Sequence, residues 1–556
     1  MLCSLTVTIA PPSEKVEQIR PTEILCHILQ FVARPDGVKA LLPSTHVSVD
    51  WRRAALSDSS LWTILYLKQI PPRLLDMILT RAGNQLFTVH ADHPDLERHA
   101  ELWVLANRIE ELHYSADLED LDPFLASLGP APNLKVLHLR PESDVEDVEE
   151  LAALISIPTI FKGRIPLLRD LALTKTAVWP TGLFKNLTSL ECGKFEHFPI
   201  SPTNLFDAIR ESPLLESLRV VGCCVHLRGE IPPFVLSSIR NCTMVGEGGA
   251  ALIRFIAIPA TAIVCLGKTQ TEGWDGFPEF GKYCVGPGLR VLGEISVLSF
   301  TISDHIARLQ ASNDQGGTLD VKMAGLYHLS GDPLGFARFI RGSFECWRAC
   351  PGLKTTKEFT LFIERDGVWG PEEATYSALN FVRLITNLPG IEVAKLHGIP
   401  PLELSSILGS LARAPKLKLR CSTLKRLDIE SSPLRSPKSL LVAIGKLLAA
   451  RKEAGAPFQS VTVKVRCEML VPAAEHCAFL TTWEGLVGEG ARLEYVQIEV
   501  NKLLRRRHLP EDGEDEENPD EDEGDEEADL GDPGDCVGWD GWPEAWPKTV
   551  EEVKGR

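Results

Sequence analysis

"LKVLHLR", residues 134–140, has leucines at positions 134, 137 and 139, and this alternating apolar spacing indicates a half-buried strand. Four nearby segments share the spacing: "IEELHYS" (109–115), "LRDLALT" (168–174), "LTSLECG" (187–193) and "LESLRVV" (215–221). The central leucines of the five segments, Leu112, Leu137, Leu171, Leu190 and Leu218, are separated by 25, 34, 19 and 28 residues. Less regular forms follow in "LRVLGEI" (289–295), "FTLFIER" (359–365), "VAKLHGI" (393–399), "LKRLDIE" (424–430), "VTVKV" (461–465) and "LEYVQIEV" (493–500).

Helical segments lie between several of these strands, as in "LELSSILGSLARAP" (402–415) and "PKSLLVAIGKLLAARKEAG" (437–455). One strand and one helix in each 20–30 residues are typical of a leucine-rich solenoid, in which stacked units supply the core together. The alternative is a generic α/β domain with a parallel sheet. The recurring leucine spacing and the absence of a glycine-rich phosphate loop favour an irregular leucine-rich-repeat solenoid over 69–504. Residues 222–288 fit no repeat cleanly.

Size and composition restrict the class of protein. A chain of 556 residues exceeds one compact core, and 44% hydrophobic with 24% charged residues is ordinary for a globular protein. No run of 18 apolar residues predicts a membrane span, and the first residues lack the basic segment of a signal peptide. The fourteen cysteines form no Cys-x-x-Cys pair. These observations predict reduced thiols, no membrane association and a cytoplasmic or nuclear location.

The charge is concentrated at the carboxyl end. Residues 511–535 hold sixteen acidic residues and no Lys or Arg, so the net charge of −18 leaves about −18 + 16 = −2 for the rest. The nearly neutral remainder offers no basic footprint for nucleic acid. We expect 505–556 to be an acidic disordered tail and 1–18 a disordered start. The tail tryptophans at 539, 542 and 546 either dock on a partner or on the body, or have little role.

The region 19–68 has a different pattern. Pro21 suits a first helical position, and apolar residues at 24, 25, 28, 29 and 32 follow helical spacing. "ARPDG" (33–37) predicts a break in this helix, and two further apolar segments follow it. Three helices in under fifty residues form a very small core. Such a domain needs a partner or a neighbouring domain for stability.

These residues carry a resemblance to the F-box, particularly the version common in fungal F-box-like proteins. The matching positions are Pro21, Glu23, Ile24, Leu25, Ile28 and Leu29, then Val47, Trp51 and Arg52, then Ser59, Leu61 and Trp62. Ser48 replaces a frequent cysteine of that pattern. The resemblance implies a three-helix domain that exposes an apolar surface to the Skp adaptor of a cullin–RING ubiquitin ligase.

The resemblance suggests six adaptor-binding candidates: Pro21, Ile24, Leu25, Ile28, Leu29 and Trp51. Each has an alternative role in packing the three helices together. For Trp51 packing is the favoured role, because the ring must help to fill a tiny core. For the first helix we favour the interface, since its apolar run exceeds what a small core requires.

A search for catalytic motifs finds no phosphate loop, nucleophile elbow or His-Glu-x-x-His. "HADHPD" (90–95) has two His and two Asp, and we interpret it as a loop instead of a metal site. We therefore expect no enzyme, no cofactor and no metal. The predicted function is a substrate-receptor subunit whose repeats bind an unknown protein target. The alternatives are a repeat scaffold with a vestigial F-box as structural cap, and a hydrolase in an irregular α/β body.

Overall fold

The computed structural model describes a set of ranges between residues 21 and 497: 21–92, 105–117, 128–142, 160–174, 182–199, 202–224, 234–246, 252–268, 293–303, 306–324, 351–364, 385, 388–412, 423–431, 438–467, 473–487 and 490–497. The segments 1–18 and 505–556, which the sequence predicts to be disordered, lie outside these ranges, as do the tail tryptophans. The described residues form a mixed α/β structure with one large, mostly parallel sheet.

Helices and strands of the described residues are numbered in chain order. The helices are α1 Pro21–Ser44, α2 Val49–Ser57, α3 Pro72–Ala82, α4 Pro202–Arg210, α5 Pro401–Ala412, α6 Lys438–Glu453 and α7 Ala473–Val487. The strands are β1 Ile64–Tyr66, β2 Phe87–Asp92, β3 Ile109–Asp117, β4 Val136–Glu142, β5 Asp170–Thr174, β6 Ser189–Pro199, β7 Ser217–Cys224, β8 Phe234–Val235, β9 Asn241–Val245, β10 Ile256–Ala257, β11 Ile263–Lys268, β12 Ile295–Ser303, β13 Ile306–Asn313, β14 Thr318–Ala324, β15 Glu358–Glu364, β16 Val393–Ile399, β17 Arg426–Ser431, β18 Ser460–Cys467 and β19 Ala491–Gln497.

Most of the predicted strands and helices are present. Segments with the leucine spacing form β3 to β7 and β15 to β19, and the two predicted helical stretches form α5 and α6. Of "LRVLGEI", residues 289–292 lie outside the described residues, and Ile295 begins β12. The prediction of a loop at "HADHPD" is wrong for His90–Asp92, which end β2 and pair with β3. Residues 222–288 contain β8 to β11 in their described parts.

The seventeen strands of the sheet pair in a single row. From β1 to β7 they pair in chain order, followed by β9 and β11, and all of these pairs are parallel. Strand β11 then pairs with β14, and the antiparallel meander β14–β13–β12 runs through the row in reverse order. Strand β12 pairs with β15, and the chain order resumes to β19. Strands β8 and β10 form a separate parallel pair.

The two faces of the sheet differ in burial. In β4, Leu137 and Leu139 are buried, whereas His138 between them is half-buried. Helix α6 buries Leu440, Leu447 and other apolar residues in the same core as the strands, so it packs on this inner face. The opposite face, here called the outer face, carries half-exposed side chains. Alternation with period two places each strand's leucines on one side and its polar residues on the other.

The amino-terminal helices share this core. Leu29 of α1 and Trp62, which follows α2, are both buried with the strand residues, and the Trp62 Nε1 donates a hydrogen bond to the Ala55 carbonyl at 2.8 Å. The predicted break of α1 occurs at Gly37, whose φ of 61° and ψ of −147° are not helical. A Cβ at Gly37 would lie 2.7 Å from the carbonyl oxygen of Ile64 in β1. Glycine is therefore required for α1 to pack on the first strand.

Among the described residues, none of the helices has both the length and the apolar character needed to cross a membrane.

Candidate protein-docking surface

Helix α1 has apolar residues on two opposite sides. Leu29 and Ala33 are fully buried on its inner side. Ile24, Ile28 and Phe31 are 49%, 41% and 68% exposed. A rotation of about 100° per residue places these three within about 60° of one another, roughly opposite the inner side. We call Ile24, Ile28 and Phe31 the outer stripe. A surface helix needs one apolar side to pack on its core, so the outer stripe is surplus to folding.

Contacts with the following elements fix the orientation of α1. The Cys26 thiol approaches the Ala54 carbonyl of α2 with an S···O distance of 3.9 Å. The Gln30 side-chain amide lies 3.5 Å from the hydroxyl of Ser60. Burial raises the pKa of Cys26, and the nearby carboxylates of Asp58 and Glu23 act in the same direction, so this thiol is a neutral packing group.

Helix α2 also exposes apolar side chains. Ser48 is its N-cap and accepts a hydrogen bond from the Trp51 backbone N–H at 3.2 Å, which satisfies one donor of the first turn. Val49 and Leu56 are exposed on one side of the helix, while Ala54 and Ala55 are buried on the other. The departure from the F-box pattern at position 48 therefore serves as a helix cap.

The six predicted adaptor-binding residues differ in how far the structure exposes them. Ile24 and Ile28 are exposed, whereas Leu25 and Trp51 are partly buried against the core. Leu29 is a correction to the sequence prediction, because at 0% exposure it packs inside and does not face a partner. Pro21 begins α1, and its side chain lies outside the described residues.

Besides Phe31 of the outer stripe, three exposed apolar residues in this region are not among the adaptor-binding residues predicted from the sequence: Val47, which was named only as a matching position, Val49 and Leu56. The spacing of Ile24, Ile28 and Phe31 by four and three residues was a usable signal, since it marks one side of a helix. The sequence of α2 gives no comparable spacing signal, because alanines occupy its buried side.

The outer face of the sheet is a second candidate surface. Its side chains differ between the two ends of the row of strands. From β15 to β18 its acidic residues pair with basic ones: Glu358–Lys395 at 2.5 Å, Asp428–Arg426 at 3.0 Å and Glu430–Arg466 at 2.5 Å. From β1 to β4 it carries aromatic rings in register, namely Tyr66, His90, His113 and His138. We call these four residues the histidine ladder. Sequence reasoning treated the histidines as separate residues, because strand register is needed to align them.

The rings of the ladder are in direct contact. The centroid distances are 4.3 Å for Tyr66–His90, 4.4 Å for His90–His113 and 4.5 Å for His113–His138, the first two pairs being stacked. Burial lowers the pKa of His113 to about 4, and the neighbouring His138 and His90 add to the effect. Within the described part of the chain, no group of three or more His, Cys, Asp or Glu residues is arranged to hold a metal ion.

Comparison with known proteins does not identify a function, so the interpretation of these surfaces depends on their geometry. No protein-family model matches the chain, and no curated protein matches it significantly.

Proposed function

We propose that this chain is a substrate-receptor subunit of an SCF-type cullin–RING ubiquitin ligase. The helices of 19–68 act as an F-box that binds the Skp adaptor, and the strands and helices of 69–504 act as an irregular leucine-rich-repeat solenoid that binds a target protein. Catalysis belongs to other subunits, and this chain supplies proximity by raising the effective concentration of the target.

The observation that supports adaptor binding is the outer stripe. Ile24, Ile28 and Phe31 lie opposite the buried side of α1, and three more large apolar residues are exposed before residue 58: Val47, Val49 and Leu56. Apolar side chains concentrated in this way mark an interaction surface, whereas single exposed ones do not. The order of strands supports the solenoid, since rows of neighbouring units that pair mainly in chain order are expected of a repeat array.

Co-purification with the Skp adaptor tests the proposal. We expect the full-length protein to retain the adaptor when the two are co-expressed. Ile24→Asp with Ile28→Asp should weaken the association at least about tenfold, because two charges would have to enter an apolar contact. Both residues are exposed, so thermal unfolding of the variant should match that of the wild type.

A matched control uses exposed apolar residues elsewhere. Leu214 and Val442 are exposed in other parts of the chain, and Leu214→Asp with Val442→Asp should leave the association unchanged. Absence of any association with the wild-type protein, or equal loss in both double variants, would refute adaptor binding through the outer stripe.

A second candidate is an interaction scaffold whose helices serve only as a structural cap. The packing of Gly37 against Ile64 and Tyr66 favours it, since α1 covers β1, the first strand of the row. Repeat arrays require such terminal caps. The scaffold predicts no adaptor binding by the wild type together with a loss of stability when the α1–β1 contact is disturbed.

A further inference from the structure

The acidic residues beside the histidine ladder differ from other acidic residues of the outer face in the side chains that contact them. Glu111 of β3 and Asp170 of β5 lie beside it, with His113 Nε2 3.9 Å from Glu111 Oε2 and His138 Nε2 3.8 Å from Asp170 Oδ1. The Thr88 hydroxyl donates a hydrogen bond to Glu111 at 3.3 Å. Within the described residues, neither carboxylate forms an ion pair with Lys or Arg.

His113 and His90 do not supply the missing positive charge at neutral pH. The pKa of His113 is about 4, and burial also lowers the pKa of His90. Burial acts to raise the pKa of Asp170, but the polar side chains of His138 and Ser189 outweigh it and leave that pKa below its ordinary value. The ladder is therefore a half-buried aromatic strip in which burial disfavours the charged forms of His90 and His113, and the carboxylate of Asp170 beside it is ionised.

Several acidic residues elsewhere on the described part of the outer face have basic partners of their own. Glu191 pairs with Arg219 at 3.3 Å, and Asp320 receives two hydrogen bonds from Arg308. Glu358, Asp428 and Glu430, between β15 and β18, are paired in the same way. Among the described residues, carboxylates without a Lys or Arg partner lie next to stacked rings on β1–β5. Arg140 is an exposed basic residue two positions after His138 in β4, on the same face of the strand.

We propose that the outer face of β1–β5 docks an arginine-bearing segment of the target protein. A planar guanidinium can lie against the exposed side of the ladder while its N–H groups pair with the carboxylates of Glu111 and Asp170. Such a cation supplies the positive charge that these carboxylates lack among the residues that the structure describes. This inference rests on the target-binding half of the proposed function and is independent of adaptor binding.

A peptide-binding measurement on the full-length chain tests the docking of arginine. The probe is a fluorescein-labelled twelve-residue peptide of Gly-Ser-Arg repeats, with a matched peptide that carries uncharged citrulline in place of arginine. The sixteen acidic residues of 511–535 are replaced by their amides in every protein, so that the tail does not bind the peptide. We expect the arginine peptide to bind at least tenfold more tightly than the citrulline peptide.

Two double variants with the same change in net charge locate the site. Glu111→Gln with Asp170→Asn should weaken binding of the arginine peptide at least tenfold. Glu191→Gln with Glu358→Gln removes two carboxylates that have basic partners on the same face, and should change binding less than twofold. Equal loss in both variants, equal binding of the two peptides or no binding at all would overturn the inference.

The same variants separate this inference from the proposed function. Glu111→Gln with Asp170→Asn should retain the Skp adaptor at the wild-type level, because the substitutions lie on the sheet and not on the outer stripe. Loss of peptide binding with adaptor binding intact supports the inference. A protein that binds the adaptor but never the arginine peptide refutes the inference and leaves the adaptor proposal in place.

Discussion

Helix α1 and strand β4 use apolar residues in different ways. In β4 the leucines all point to the inner face, and the outer face carries His138 and Arg140. In α1 the inner side holds Leu29, while the outer stripe is equally apolar and exposed. Strand β4 thus directs its leucines to the core alone, whereas α1 has more apolar surface than the core buries. The same type of side chain should therefore stabilise the fold in one element and binding in the other.

The largest effect is expected from the core of the sheet. Leu137 of β4 is fully buried and pairs in register with Leu112 and Leu171 of the neighbouring strands. Leu137→Ala removes apolar contacts and leaves a cavity, and should lower the free energy of unfolding by about 2–5 kcal/mol. Chemical denaturation measures the change. A loss below about 1 kcal/mol would mean that the inner face is not a close-packed core.

Substitution of Gly37 should have the next largest effect. Gly37→Ala places a methyl group against Ile64 and Tyr66 in a backbone region that L-residues avoid, and should destabilise the protein by about 1–3 kcal/mol. Gly83→Ala is the control, because Gly83 also has a positive φ of 57° but a Cβ added there would meet no atom within 4 Å. If both variants lose the same stability, backbone strain alone accounts for the effect and the contact with β1 does not.

The histidine ladder makes stability depend on pH. The folded pKa of His113 is about 4, below the ordinary value of 6.5, so the unfolded state takes up a proton first as the pH falls. Between pH 7 and pH 5 this should reduce the free energy of unfolding by at most about 2 kcal/mol, since solvent partly screens the half-buried ring, and the loss is complete below pH 4. His113→Phe keeps a ring in the stack without a titrating group. Denaturation curves of the variant should therefore show a weaker pH dependence than the wild type, and an unchanged dependence would contradict the prediction.

The smallest effect on folding is expected at the outer stripe. Ile28→Ala should change the free energy of unfolding by about 0.5 kcal/mol or less, because the side chain is already in contact with water. The same substitution should weaken adaptor binding by about 1–2 kcal/mol if Ile28 enters the proposed interface. Titration calorimetry with the adaptor measures the second change. A large loss of stability with unchanged binding would reverse the roles assigned to the two sides of α1.

The sequence predicts the strands well because burial in a strand follows a simple period of two. Leu112, Leu137 and Leu171 occupy one position of the motif, and all three are buried in register. The reversed meander was not predicted, since the partners of β12 and β14 are set by contacts between distant segments. The three-residue strand β1 is also too short to give a pattern of its own.

The candidate surfaces were predicted less completely than the strands. Leu29 was assigned to the interface because both sides of α1 are apolar, and only packing identifies the side that meets the core. Ile24 and Ile28 were named from the same pattern, and Phe31 was missed. The histidine ladder requires the alignment of four strands, and no single segment contains the information that places His90 beside His113.

The reversed meander also bears on how the chain reaches its native state. Strands β12, β13 and β14 are joined by short connections, and the Asn313 side chain accepts hydrogen bonds from the backbone N–H groups of Gln315 and Gly317 in the second of them. Parallel neighbours elsewhere in the row close much longer loops, which slows their pairing. We therefore expect the meander to nucleate early in folding, and both flanks to add to it outward, so that the amino-terminal helices assemble late.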